Sequence, residues 1–327
     1  MVLLLAEVGK GFGLGHYRRM QVLNNYLNSR GIVSNLSTLE NINSHTLNKC
    51  KIIILDLREA NKRLVAELIS KQKLVISLDD LETRKPTIVS VLSLPYIKTY
   101  GPPPNFKGTN YLILNPKLLE LKTKNTFDIL ITFGGEDPNN LTTFVLENFS
   151  SLFGNKTCCV FIGKAFTNKR EIERICNSKG IEVFDESKSE FYNILASSNT
   201  IVTSFGMTVY EALTLGKNIL LFNNSEYHHK IFRRSGLEKS NRVKEIGYLR
   251  QGRWIKVADR EFLTSPESKK NLEIDVTGNL ERWLEIIERV AKINDVDFNF
   301  ISHSRAYYRD QNKTVFLKGN NVLELPF

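Results

Sequence analysis

Val2-Leu3-Leu4-Leu5-Ala6 and, close behind it, Gly9-Lys10-Gly11-Phe12-Gly13-Leu14-Gly15-His16-Tyr17-Arg18-Arg19 open the chain. An apolar run, a glycine-rich turn and then an amphipathic stretch to Leu27 is the layout of strand, loop and helix. Glycines let the backbone take positive φ and let a ligand approach the main chain. The first N–H groups of the following helix point out of the turn. His16, at the positive end of that helix dipole, is disfavoured as imidazolium and so reads as a candidate base near neutral pH. The dinucleotide fingerprint Gly-x-Gly-x-x-Gly fails here: counted from Gly9 it needs glycine where Leu14 stands, and counted from Gly11 it needs glycine where His16 stands. No nicotinamide cofactor is expected.

Working outward, short β-branched runs alternate with helical segments. Strands are expected at 2–7, 32–37, 51–56, 73–78, 87–92 and 111–114, and helices at 17–30, 43–48 and 61–70. Continuous apolar runs such as Ile52-Ile53-Ile54-Leu55 suit strands buried on both faces, hence a parallel sheet. A polar, lysine-rich stretch at 116–125 reads as a hinge. The alternation then restarts, with strands at 127–133, 157–162, 181–184, 200–203 and 218–222 and helices at 139–151, 168–178, 189–197, 207–215 and, late in the chain, 279–294. Two such blocks predict an α/β protein of two doubly wound, Rossmann-like domains facing across a cleft. The domains are expected at 1–120 and 121–294, with 295–327 as a C-terminal extension carrying a hairpin at 314–325.

The totals fit this. The chain has 327 residues, 42% apolar and 24% charged, with nine prolines. No apolar run reaches the ~20 residues of a membrane span. Glu7 and Lys10 interrupt the opening run, and no basic region precedes it, so a signal peptide is not expected. Four cysteines without C-x-x-C spacing predict neither a zinc site nor a disulfide framework, and the chain reads as cytoplasmic. The net charge of +10 points to an acidic partner: nucleic acid, an anionic membrane surface or a phosphorylated small molecule. The densest basic cluster, Lys230, Arg233, Arg234 and Lys239, reads as a solvated helix face, and nucleic-acid binding is not expected.

Three strand-end loops could carry chemistry: the opening loop, Gly134-Gly135-Glu136-Asp137-Pro138, and Ser204-Phe205-Gly206-Met207-Thr208 with Glu211 one turn into its helix. The backbone N–H groups at Met207 and Thr208, with the Thr208 hydroxyl, would hold a diphosphate, and Glu211 could accept from ribose hydroxyls. Asp295-Val296-Asp297 follows a helix rather than a strand end and is not read as a metal site, and His45 and His303 stand in no motif.

The second block resembles the nucleotide-binding half of MurG-type enzymes of the GT-B fold. More closely, the chain resembles the UDP-sugar hydrolase of pseudaminic acid biosynthesis and relatives known as spore-coat polysaccharide glycosyltransferases. The resemblance rests on Gly13-Leu14-Gly15-His16-Tyr17-Arg18-Arg19, on Asp79-Asp80 with Arg84 nearby, and on Gly134-Gly135-Glu136-Asp137-Pro138-Asn139-Asn140. It continues through Gly206-Met207-Thr208-Val209-Tyr210-Glu211 with Gly216, and Gly278 with Arg282, over roughly residues 1–290. It implies a UDP-sugar as partner, His16 as the catalytic base, and sugar contacts from Gly13, Gly15, Arg19, Asp56, Arg58, Asp80 and His228. It further implies nucleotide contacts from Gly134, Gly135, Asp137, Gly206, Met207, Thr208 and Glu211, with no metal and no cofactor. The implied reaction is metal-independent attack of water on C1 in nonulosonic acid or surface polysaccharide synthesis. An inverting glycosyltransferase with a sugar or lipid acceptor is the alternative, and a non-catalytic nucleotide-sugar-binding protein a second. Two departures bear on the sugar side: Asp56-Leu57-Arg58 where the family has Asp-x-Tyr, and Tyr227-His228 where it has Asn-Gln. Ile219 stands where a retaining E-x7-E pattern starting at Glu211 needs glutamate, which favours inversion.

Overall fold

The computed structural model of the chain describes residues 1–7, 15–57, 61–149, 154–186, 190–257, 274 and 276–327. These divide into two compact units, the first formed by Met1–Asn115 with Val276–Phe327, the second by Pro116–Asp275.

In the first unit the chain runs β1 (Val2–Ala6), α1 (Gly15–Ser29), β2 (Ser34–Thr38), α2 (Ser44–Lys49), β3 (Ile52–Asp56), α3 (Lys62–Ser70), β4 (Leu74–Leu78), β5 (Val89–Leu92) and β6 (Phe106–Lys107). The strands form one parallel sheet in the order β2-β1-β3-β4-β5-β6. Every residue of β1, β3 and β4 is buried, as continuous apolar runs demand of central strands covered on both faces. Each of these Val, Leu and Ile side chains contributes roughly 1.5–3 kcal/mol by leaving water. α1 lies on the sheet through Met20, Leu23 and Leu27, one helical face.

The second unit runs α4 (Lys117–Glu120), β7 (Phe127–Ile131), α5 (Leu141–Asn148), β8 (Cys158–Ile162), α6 (Lys169–Lys179), β9 (Glu182–Asp185), α7 (Phe191–Ala196), β10 (Ser198–Thr203), α8 (Met207–Thr214), β11 (Asn218–Asn223), α9 (Glu226–Ser235), β12 (Val243–Arg250) and β13 (Arg253–Lys256). Its sheet order is β13-β12-β11-β10-β7-β8-β9, parallel except for the antiparallel edge strand β13. Counted within the unit this is 3-2-1-4-5-6 with one added edge, the doubly wound order whose reversal falls between β7 and β10. The sequence pattern did not predict β12 and β13. Trp254 of β13 stacks on Phe222 of β11, with 5.5 Å between ring centroids, so that pair is set by tertiary packing.

The chain then returns to the first unit with α10 (Asn279–Ala291), α11 (Phe298–Ser302) and an antiparallel sheet of β14 (Arg305–Arg309), β15 (Lys313–Lys318) and β16 (Asn321–Pro326). This corrects two expectations. The late helix is not part of the second domain: Leu280, Trp283, Ile286, Ile287 and Val290 lie in the core that contains β1, β3 and β4. The segment from 295 is not an appendage, since Ala306, Phe316 and Leu325 belong to that core too. The helix also explains why 111–114 is no strand. Trp283 donates its indole N–H to the Tyr111 carbonyl at 2.9 Å, and the Asn279 amide donates to the Thr109 and Leu112 carbonyls at 3.2 and 2.9 Å. Carbonyls that a sheet ladder would use are taken by α10.

Arg309 anchors the terminal sheet. Its guanidinium is 2% exposed and donates to the Thr83, Lys85 and Thr87 carbonyls, to the Asn105 side chain and to the Thr87 and Thr314 hydroxyls. Burial pushes its pKa down to about 9, while Asp80 pulls it up. A buried cation satisfied by a cage of acceptors ties β14 to the loop after β4.

Candidate functional site

The first cluster stands at the carboxyl ends of β1, β3 and β4. His16 and Arg19 are three apart in the first turn and a half of α1, so both project from one helix face. Asp56 is the last residue of β3, and Asp79 follows β4. His16 Nδ1 lies 2.7 Å from Asp56 Oδ1. Arg19 grips the same carboxylate with two nitrogens, Nε on Oδ2 and Nη2 on Oδ1, and reaches Asp79 Oδ2 with Nη1 at 2.7 Å. Asp79 also accepts from the Ser93 and Leu94 backbone N–H groups and from the Ser93 hydroxyl, at 2.7, 3.0 and 2.8 Å. Its φ of +53° is the left-handed region, uncommon for a non-glycine residue, and these four bonds hold it there.

The electrostatics follow. Burial alone would push the Asp56 carboxyl up, but Arg19 and His16 hold it below the usual carboxylate range. Burial would lower the Arg19 guanidinium, yet Asp56 and Asp79 raise it above its ordinary value. Since an ionised Asp56 can only accept, His16 Nδ1 carries the hydrogen and Nε2 is left as the basic atom. The carboxylate fixes the tautomer and stabilises the imidazolium that forms when Nε2 takes a proton. His16 keeps 21% of its side chain exposed, against 4% for Arg19 and 1% for Asp56.

Of the expected sugar contacts, Arg19 and Asp56 are 5% and 0% exposed, bonded to each other, with Asp56 also bonded to His16. Asp80, 4% exposed, is held by Lys85 at 2.7 and 2.8 Å and by the Glu82 N–H at 3.0 Å. Burial pushes its carboxyl up while Lys85 pulls it down. Gly15 opens α1, and a Cβ added there would meet no atom of the described residues within 4 Å. Gly13 and Arg58 lie outside the described residues.

The second cluster stands where the second sheet reverses order. β7 and β10 are neighbours, so the loops after them, Gly134-Gly135 and Ser204-Phe205-Gly206, emerge side by side at the switch point. Gly134 has φ +81°. Gly163, after β8, was not singled out by any sequence motif, but a Cβ there would lie 2.2 Å from the Gly134 carbonyl oxygen and 2.7 Å from the Gly135 backbone. Gly163→Ala is therefore expected to cost about 1–3 kcal/mol, as overpacking does. Urea denaturation checks this, and an unchanged midpoint would show that the loop shifts freely. Asp137 does not stand ready for a diphosphate: its two oxygens accept from the Leu141 and Thr142 N–H groups at 2.8 Å each, capping α5.

The loop before α8 is fixed from behind. Asn223 accepts from the Phe205 N–H at 2.8 Å and donates to Glu245 at 2.6 Å. Glu245 takes His229 Nδ1 on both oxygens at 2.9 Å, and His229 stacks on Tyr248 with centroids 4.3 Å apart. The Ser204 hydroxyl accepts from the Asn224 N–H at 3.2 Å. Gly206 is the N-cap of α8 and supplies no side-chain cap, so the helix start at Met207 and Thr208 offers main-chain donors and the positive dipole end to an anion. Glu211, one turn in, accepts from the Tyr192 hydroxyl at 3.0 Å. His228 sits in the first turn of α9 with Nδ1 2.8 Å from the hydroxyl of the N-cap Ser225. His228 and His229 thus have separate partners.

Sequence reasoning did not single out Tyr192, Asn223 and Glu245, and it named Asp79 only as half of the Asp79-Asp80 turn; both of those aspartates are buried. Glu245 gave no signal because its strand was not expected.

No family model matches the chain. An uncharacterized protein of Methanocaldococcus jannaschii is 31% identical over 139 residues, which span 39% of this chain and 28% of that protein. The chain therefore matches little more than a quarter of that relative's length. Among solved structures, the chain is similar to the glycotransferase of kitacinnamycin at 9% identity, covering 88% of this chain and 98% of that one, with a TM-score of 0.52. It is similar to UGT89C1 of Arabidopsis thaliana at 10% identity, covering 92% and 97%, with a TM-score of 0.50. At such identities the likeness is one of fold. The chain has the α/β GT-B fold, two Rossmann-like domains, as expected. No helix among the described residues is long and apolar enough to cross a membrane.

Proposed function

We propose that the chain is a nucleotide-sugar hydrolase, acting on a UDP-linked sugar. The observation that carries this reading is the His16–Asp56 pair, clamped by Arg19, with Nε2 left as the basic atom. The nucleotide diphosphate is assigned to the start of α8, and Glu211 to the ribose hydroxyls. In the reaction, water attacks C1 of the sugar and its proton passes to His16 Nε2. The bond from C1 to the diphosphate oxygen breaks, and the electron pair leaves with UDP, whose charge the main-chain donors at Met207–Thr208 offset. Inversion at C1 follows from this single displacement. The motif resemblance supports nonulosonic acid or surface polysaccharide synthesis in the cytoplasm as the setting.

Incubation with UDP-sugars in ¹⁸O-labelled water, without any acceptor, tests the proposal. Free sugar labelled at the C1 oxygen, together with unlabelled UDP, is the expected result, and label in UDP would place the attack at phosphorus instead. The shared fold with a glycotransferase supports a second reading, in which an acceptor hydroxyl replaces water at the same base. Turnover only after an acceptor is added would select it.

Glu211→Gln keeps the acceptor for Tyr192 but removes the charge. UDP affinity is expected to fall tenfold or more, the loss of about 1.5–3 kcal/mol for hydrogen bonds to a charged group. Calorimetry giving equal affinity would withdraw Glu211 from the ribose.

A further inference from the structure

The terminal sheet of the first unit has one face in the core and one in solvent. Ala306, Phe316 and Leu325 point inward, while the cross-strand row Arg305, Leu317 and Val322 lies on the outer face. The charges on this layer are sorted along it. At one end the acids are engaged: Glu324 pairs with Lys313 at 3.0 Å, and Asp310 accepts from the Asn312 and Lys313 N–H groups and the Tyr308 hydroxyl. Asp297 is spent on capping α11. At the other end, Lys62, Arg305 and Lys318, with His303, Ser304, Leu317 and Gly319, line a concave mouth of about 300 Å³ with no acidic side chain among the described residues. None of the three cations forms an ion pair among the described residues, though Lys318 also lies 6.0 Å from the Phe300 ring. Lys62 opens α3, whose dipole adds positive potential. α11 packs on α3, and the β15–β16 turn closes at Gly319, so three separate elements bring their cations to one place.

We propose that this mouth is a binding site for a phosphate group, as carried by a soluble phosphomonoester or by an anionic lipid headgroup. Three cations from three elements, without an ion-pair partner or a competing carboxylate among the described residues, favour a compact dianion over a cationic ligand. The exposed Val322 beside Leu317 offers apolar contact to whatever the phosphate is attached to. The inference is independent of the reaction assigned above and concerns different residues.

The test uses the full chain labelled with ¹⁵N and inorganic phosphate as probe, read at the Lys318 and Gly319 amides. Saturable shifts are expected, weakened by added salt and weakened about tenfold or more in the double variant Arg305→Gln, Lys318→Gln. Both positions are exposed, so the variant keeps the fold, and Arg305→Lys with Lys318→Arg should retain binding. A second arm compares sedimentation with phosphatidylglycerol and phosphatidylcholine vesicles. Binding to the anionic vesicles that is lost in the double variant identifies a headgroup as the source, and phosphate shifts without vesicle binding identify a soluble phosphate. Absence of both, or binding that the double variant leaves unchanged, overturns the proposal.

Discussion

His16→Ala is expected to lower turnover of a UDP-sugar by roughly 10²–10⁴-fold, the range removed with a positioned general base, while UDP binds as before. The two halves of the expectation have separate causes. In the proposed reaction the nucleotide is bound by main-chain donors at the start of α8, a role in which His16 has no part. The proton from water has its acceptor in His16 Nε2, and Asp56 does not substitute because Arg19 still holds both of its oxygens, Nε on Oδ2 and Nη2 on Oδ1. The loss corresponds to roughly 3–5 kcal/mol of transition-state stabilisation. Restoration of part of the rate by added imidazole would confirm that the missing element is a base rather than a shape. Turnover that survives the substitution would remove His16 from the chemistry and leave the cluster as a structural tie.

The fold and this cluster were unequally legible in the sequence. Continuous apolar runs such as Val2–Ala6 and Ile52–Asp56 announce buried parallel strands, and their spacing with helices announces the two doubly wound sheets. The same local signals misplace α10, because amphipathic periodicity reveals a buried face but not which core covers it. Only Trp283 and Asn279, bonded to the 109–112 segment, decide that. His16 and Arg19 were visible as a pair on one helix turn. That Asp56 and Asp79 lie beneath them depends on β1, β3 and β4 ending level in one sheet, which no local pattern encodes. Nor does a local pattern say which charges at strand ends meet other protein groups: Arg19 and Asp56 bond to each other, Asp80 to Lys85, and Asp137 to the first N–H groups of α5.

The largest stability effect is expected at Arg19. Arg19→Met leaves a carboxylate buried at 0% exposure without its bidentate cation, and breaking a buried pair from one side costs about 3–5 kcal/mol. Asp79 retains three other donors from Ser93 and Leu94, so Asp56 bears most of the loss, relieved only by His16. The pH dependence reverses with it. In the parent protein the Asp56 carboxyl lies below its ordinary value, so the folded state releases this proton more readily than the unfolded chain. Its stabilisation is present above the unfolded pKa of about 3.9 and is lost as pH falls through the lower folded value. In the variant, burial without Arg19 raises the same carboxyl, the folded state binds the proton first, and stability grows as pH falls from neutrality toward about 4. Urea denaturation followed by Trp283, in a Trp254→Phe background that silences the second unit's tryptophan, isolates this transition. Arg19→Lys should fall between parent and methionine variant, since an ammonium cannot grip Asp56 with two nitrogens and reach Asp79 with a third. A midpoint that falls with pH in Arg19→Met as it does in the parent would show that Asp56 finds another partner or water, and that Arg19 does not hold the base in place.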